Sequence, residues 1–156
     1  MPGDTEPKAL KIVRQLDAAP ESVFTALTEP SVMRTWMYEE QDTKYDVDLR
    51  VGGTWSITDR RDGTEYVATG RYLEVVPPSR LVYTYATPQF FPNSDTVAID
   101  LVRKGNGCEQ TFVQSGEDIA SELQHLPPGE KSMSEVGWGQ GFNSLSAALR
   151  RTDGSR

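Results

Sequence analysis

From Tyr45 to Gln114 the chain alternates apolar and polar residues, with a turn signal wherever the alternation lapses. A period of two marks strands that bury one face, because successive side chains leave a pleated strand on opposite sides. Tyr45, Val47 and Leu49 open the pattern, and Gly52-Gly53 closes that segment with a tight turn. Trp55 and Ile57 carry the next strand to a hairpin signal at Arg61-Asp62-Gly63. A long strand from Tyr66 to Val76 stops at Pro77-Pro78, and Leu81, Tyr83 and Tyr85 alternate after it. Val97, Ile99 and Leu101 lead to Lys104-Gly105-Asn106-Gly107, beyond which Cys108, Gln110, Phe112 and Gln114 share one face. Strands joined by such short turns form an antiparallel meander, and its apolar face needs a cover.

The flanks supply that cover. Leu10, Ile12 and Leu16 predict one more strand over about 9–17, with Arg14 on its apolar face. Pro20 and Pro30 each suit the first turn of a helix, where the missing N–H costs nothing. Val23, Phe24 and Leu27 stripe the first helix, and Val32, Met33 and Trp36 the second. Past Gly116, Ile119, Leu123 and Leu126 predict a short helix before Pro127-Pro128-Gly129. Trp138, Phe142, Leu145 and Leu149 then fall on one stripe of a helix over about 131–150. The predicted fold is α+β of the helix-grip kind. A seven-stranded curved antiparallel sheet wraps a long C-terminal helix, with two short helices between strands 1 and 2.

At 156 residues the chain fits one core without staples, so a single domain is expected, with loose tails at about 1–7 and 151–156. A net charge of −7 repels phosphate backbones and anionic lipid, which argues against nucleic-acid and membrane partners. No cleavable apolar leader and no apolar run of about 18 residues is present, so a cytoplasmic location is expected. The lone Cys108 cannot form an internal disulfide, nor can it build a structural zinc site with the lone His125. Neither a metal nor a cofactor is expected. Cys108 reads as a small buried hydrophobe and His125 as a solvated residue in a polar connection. The charged run Asp59 to Glu65 reads as an exposed hairpin tip.

A sheet curved around one helix leaves space between them. Trp36, Met37, Trp55, Tyr83, Tyr85, Phe112, Gln114, Trp138 and Phe142 converge on that space and are the candidate cavity walls. The same residue types equally build a plain core. A buried phenol needs a partner, which for Tyr83 or Tyr85 is a ligand carbonyl or a neighbouring backbone group. Gly137, Gly139 and Gly141 each cost a helix about 1 kcal/mol relative to alanine. Gly137, Gly141, Ser144 and Ala148 form a smooth ribbon that suits a cavity roof, close packing on the sheet, or a frayed helix start. Arg14 is the candidate polar anchor, either paired with an acidic side chain or holding a ligand carboxylate. Gln110 and Gln114 share the face of Phe112, where either can orient a polar ligand group. Phe90 and Phe91 suit a portal lid or a homodimer contact, or fold back on the core.

The stretch DAAPESVFTALTEP over 17–30, then Trp36, Gly52-Gly53, GRYLEVVPPSRLVYTY over 70–85, and Gly137-Trp138 ahead of the last helix, is similar to the START-like (SRPBCC) superfamily. The branch it resembles is that of homologues of the activator of the heat-shock-chaperone ATPase, over roughly 8–150. The resemblance implies the helix-grip fold shared with birch-pollen-allergen-like binders, polyketide cyclases and lipid-transfer domains. It does not imply a reaction. Many members of the branch are bacterial proteins without an assigned role. The family often carries a His near the end of the last strand, ahead of a Gly. Gln114 stands there, before Ser115-Gly116, which removes one acid/base group. The favoured function is binding or transport of a small hydrophobic or aromatic molecule. The alternatives are a cyclase-, aromatase- or hydrolase-like enzyme, whose catalytic residues the sequence does not name, and a co-chaperone-like module that binds another protein.

Overall fold

A computed structural model describes residues 8–37 and 43–154 of the chain. The first seven residues of the expected N-terminal tail, and residues 155–156 of the C-terminal one, lie outside the described residues. The strands are β1 (Leu10–Leu16), β2 (Lys44–Val47), β3 (Thr54–Arg61), β4 (Thr64–Val76), β5 (Arg80–Tyr85), β6 (Asp95–Lys104) and β7 (Gly107–Ser115). The helices are α1 (Pro20–Thr28), α2 (Pro30–Met33), α3 (Glu117–Gln124) and α4 (Met133–Gly154). All seven strands form one curved antiparallel sheet in the order β1-β7-β6-β5-β4-β3-β2, so the helix-grip architecture is realised.

The register sets which side chains face inward. Across β1 and β7, Leu10 opposes Gln114, Ile12 opposes Phe112, and Leu16 opposes Cys108. All six are buried, with Cys108 at 1 % exposure, so the cysteine fills core as expected. β4 shifts register between Tyr72 and Glu74. That bulge throws Leu73 outward, while Tyr72 and Val75 both turn toward the core.

α4 lies against the inner face through Phe142, Leu145 and Leu149, all buried. Phe142 meets Phe112 at 5.3 Å between ring centroids and Trp138 meets it at 4.6 Å. The helix continues to Gly154, so residues 151–154 are not part of a loose tail. Gly137, Gly139 and Gly141 all lie inside it, which removes the frayed-start reading. α3 ends one turn earlier than the sequence pattern suggests. His125 caps it with Nδ1 2.8 Å from the Ser121 carbonyl, and its ring remains exposed.

Two further expectations are corrected. β2 stops at Val47, leaving Leu49 in an exposed turn. Asp59 is not at an exposed tip: it is 2 % exposed and accepts a hydrogen bond from the Thr43 hydroxyl at 2.9 Å. The strand alternation that turns Ile57 inward turns Asp59 inward as well. No helix among the described residues is long and apolar enough to cross a membrane.

Candidate functional site

A cavity of about 460 Å³, partly open to solvent, lies between α4 and the inner face of the sheet. Trp36, Met37, Trp55, Tyr83, Tyr85, Gln114, Trp138, Gly141 and Phe142 line it, as the sequence suggested. Phe112 does not. It is fully buried behind Trp138 and Phe142 and supports the wall from the back. Phe91 lines the cavity, whereas Phe90 stands outside with 63 % exposure, its ring stacked on Tyr66 at 5.7 Å. The two adjacent phenylalanines therefore divide, one at the opening and one on the outer surface.

Arg14 is the clearest correction. Its face is as expected, but β1 is an edge strand and the side chain reaches up to α4. There Nη1 donates to Asn143 Oδ1 at 2.7 Å and Nη2 to the Gly139 carbonyl at 3.5 Å. No acidic partner of Arg14 occurs among the described residues. It lines a separate depression beside α4, with Leu16, Asn143 and Arg150, and does not line the cavity. A Cβ on Gly139 would sit 3.1 Å from Nη2, so this glycine makes room for the guanidinium.

The other two glycines act differently. A Cβ on Gly137 would meet nothing within 4 Å, and one on Gly141 would touch only Trp36, at 3.9 Å. Close packing therefore does not demand glycine at either position. Both border the cavity, and their missing side chains are volume left empty.

The hydrogen bonding of the wall separates two kinds of polar ring. Each tryptophan N–H is committed to the protein. Trp36 donates to the Ala26 carbonyl at 2.9 Å, Trp55 to the Thr84 carbonyl at 3.2 Å, and Trp138 to Gln114 Oε1 at 2.9 Å. Gly70 sits where a Cβ would collide with both the Thr84 carbonyl and the Trp55 indole. The hydroxyls of Tyr72 and Tyr83, by contrast, have no hydrogen-bond partner among the described residues, although both residues line the cavity. Desolvation pushes the Tyr72 hydroxyl up to about 12, and burial beside Tyr85 and Tyr72 drives that of Tyr83 upward too. Both phenols are therefore protonated donors at neutral pH.

Gln114 stands at the centre of a relay. Its Oε1 accepts from Trp138, and its Nε2 donates to Asp95 Oδ2 at 3.0 Å. Asp95 is 2 % exposed and also accepts from the backbone N–H groups of Asp118, at 3.2 Å, and Ile119, at 3.0 Å. It thus caps α3 from a distant strand and places a carboxylate at the positive end of that helix. Gly116 permits the approach: its φ is 137°, and a Cβ would collide with the Asp95 carboxylate. A second clamp joins the helices, where the Glu122 carboxylate accepts from the backbone N–H and the hydroxyl of Ser134, both at 2.9 Å. Tyr72, Asp95, Asp118 and Glu122 all border the cavity and were not singled out in the sequence. Gln110, fully buried deeper on β7, reaches neither depression and has no hydrogen-bond partner among the described residues.

With this geometry established, comparison with known proteins gives the family. The model for "Activator of Hsp90 ATPase homolog 1-like protein" matches residues 17–150. The chain belongs to that family. Its fold recurs in protein CV1439 of Chromobacterium violaceum, at 28 % identity and a TM-score of 0.71, covering 90 % of this chain and 96 % of that one. Protein MLL2253 of Mesorhizobium loti is 26 % identical with a TM-score of 0.73, covering 93 % and 98 %. SA2116 of Staphylococcus aureus, a protein of unknown function, shares the fold at a TM-score of 0.75 and 19 % identity, covering 95 % and 96 %. No curated protein matches this chain. In this family member the residue ahead of Ser115-Gly116 is an amide that holds an indole and a carboxylate in place.

Proposed function

We propose that this family member binds or carries a small, largely apolar aromatic molecule in the cavity under α4. One observation carries the reading. A roughly 460 Å³ space is walled by aromatic rings, and the phenols of Tyr72 and Tyr83 border it with no hydrogen-bond partner among the described residues. A ligand acceptor in that space would take up these hydroxyl donors, each such hydrogen bond contributing about 0.5–1.5 kcal/mol. The volume lies within the range of about 300–1,000 Å³ common for small-molecule sites.

Native mass spectrometry of freshly purified protein, with extraction of whatever co-purifies, tests the reading directly. The control is Gly141→Leu, whose added side chain starts 3.9 Å from Trp36 and extends into empty volume. Binding of aromatic ligands is expected to disappear while the melting temperature holds or rises, because the substitution also removes a helix glycine worth about 1 kcal/mol. A variant that loses stability yet binds as before would mean that the cavity is not the site.

A further inference from the structure

The cavity has two chemically different ends. In register, Tyr72 opposes Tyr83 across β4 and β5, and Tyr85 opposes Asp95 across β5 and β6. Tyr85 lies two residues beyond Tyr83, so the carboxylate end begins roughly 7 Å along the strand from the phenol end. Aromatic rings bridge the interval. Tyr83 meets Trp55 edge-on at 5.4 Å, Trp55 stacks with Tyr85 at 6.3 Å, and Tyr85 meets Trp138 at 5.3 Å.

At the far end Asp95, Asp118 and Glu122 all border the space. Among the described residues every hydrogen bond they accept comes from a neutral donor: Gln114 and backbone amides for Asp95, Asn93 for Asp118, and Ser134 for Glu122. Among the described residues none of the three has an ion-pair partner, and no Lys, Arg or His borders the cavity. Arg14 and Arg150 line the separate depression beside α4, and neither borders the cavity. The wall thus carries carboxylates with no cationic side chain beside them among the described residues, inside a chain already at −7. At the phenol end Tyr72 is 3 % exposed, unpartnered and a donor.

Resting on the binding reading above, we infer that the cavity selects a flat aromatic cation, with its amine or quaternary ammonium toward Asp118 and Glu122 and a hydrogen-bond acceptor toward Tyr72 and Tyr83. Ring faces and carboxylates both favour a cation, the first through the quadrupole and the second through charge. A carboxylate ligand such as a fatty acid meets repulsion at one end and finds no cation at the other.

Matched probes separate this from cavity binding alone. Four naphthalenes suffice: 6-methoxy-2-naphthylmethyl-trimethylammonium, its 2-hydroxymethyl and 2-carboxymethyl counterparts, and the trimethylammonium compound without the methoxy group. Calorimetric titration at low ionic strength is expected to give the cation at least about tenfold tighter binding than the anion, equivalent to about 1.4 kcal/mol, with the alcohol between them. Added salt narrows the gap. The variant carrying Asp118→Asn and Glu122→Gln keeps one of the two acceptor oxygens for Asn93 and for Ser134 and is expected to shrink the preference to threefold or less. In the Tyr72→Phe and Tyr83→Phe double variant, the methoxy compound loses its advantage over its des-methoxy analogue. If alcohol, cation and anion bind equally, and Gly141→Leu abolishes all three, the cavity reading stands and the charge selection is overturned. If the anion binds tightest, the selection is likewise overturned. Binding of none of the four by the folded wild type would overturn both.

Discussion

A phenol that faces a cavity without a partner ties folding to alkaline pH. The hydroxyl of Tyr72 sits at about 12 in the folded protein, against 10.0 ordinarily, because burial disfavours the phenolate. A raised folded value means that the neutral form is favoured by folding. The stability difference is fully present below pH 10 and is lost as pH rises through 12. Two units correspond to roughly 2–3 kcal/mol. Urea denaturation of the wild type and Tyr72→Phe at pH 8 and pH 11.5 should therefore give curves that diverge at the higher pH, with the variant losing less. Equal losses would mean that the phenol is hydrated in the folded state. Gln114 illustrates the same scale from another side. In the sequence it reads only as an amide on the face of Phe112, and its value lies in having both an acceptor for Trp138 and a donor for Asp95. A histidine there has the two ring nitrogens needed for similar contacts, but it brings a titratable group that this chain omits.

At the scale of elements, α3 and α4 are held by carboxylates that belong to other segments. α3 has Gly116 at its cap and no side-chain cap of its own, so Asp95 supplies the acceptors from β6. Asp95→Ala should cost about 2–4 kcal/mol, since it strands two helix N–H groups and the Gln114 amide in a buried place. Amide exchange at Asp118 and Ile119 should accelerate in the variant. Unchanged exchange there would refute the capping role. None of this is apparent from local sequence, because Asp95 precedes α3 by more than twenty residues and directly follows Pro92-Asn93-Ser94. β4 was obscure for a different reason. Tyr66, Ala68 and Tyr72 occupy one parity and Leu73 and Val75 the other, so no single face could be read. The bulge after Tyr72 resolves this by reversing the phase within the strand.

Across the whole molecule, the order of elements, the seven strands and the gripping helix followed from periodicity alone, because each strand buries one face and only α4 is long enough to cover them. The aromatic wall followed too, since Trp55, Tyr83, Tyr85 and Trp138 lie on inward positions of those periods. What periodicity cannot give is lateral position. Arg14 faces inward on β1 but at the sheet's edge, so it passes to the far side of α4, and Phe112 sits too centrally to reach the space. The acidic wall arises only when the start of β6 meets the start of α3. The placing of the indoles has one practical result. Trp36, Trp55 and Trp138 are all the tryptophans in the chain, and all three border the same space. Their ultraviolet emission therefore contains no contribution from bystanders. Filling that space should alter the entire signal, and Gly141→Leu should mute the response, so the protein carries its own optical gauge of occupancy.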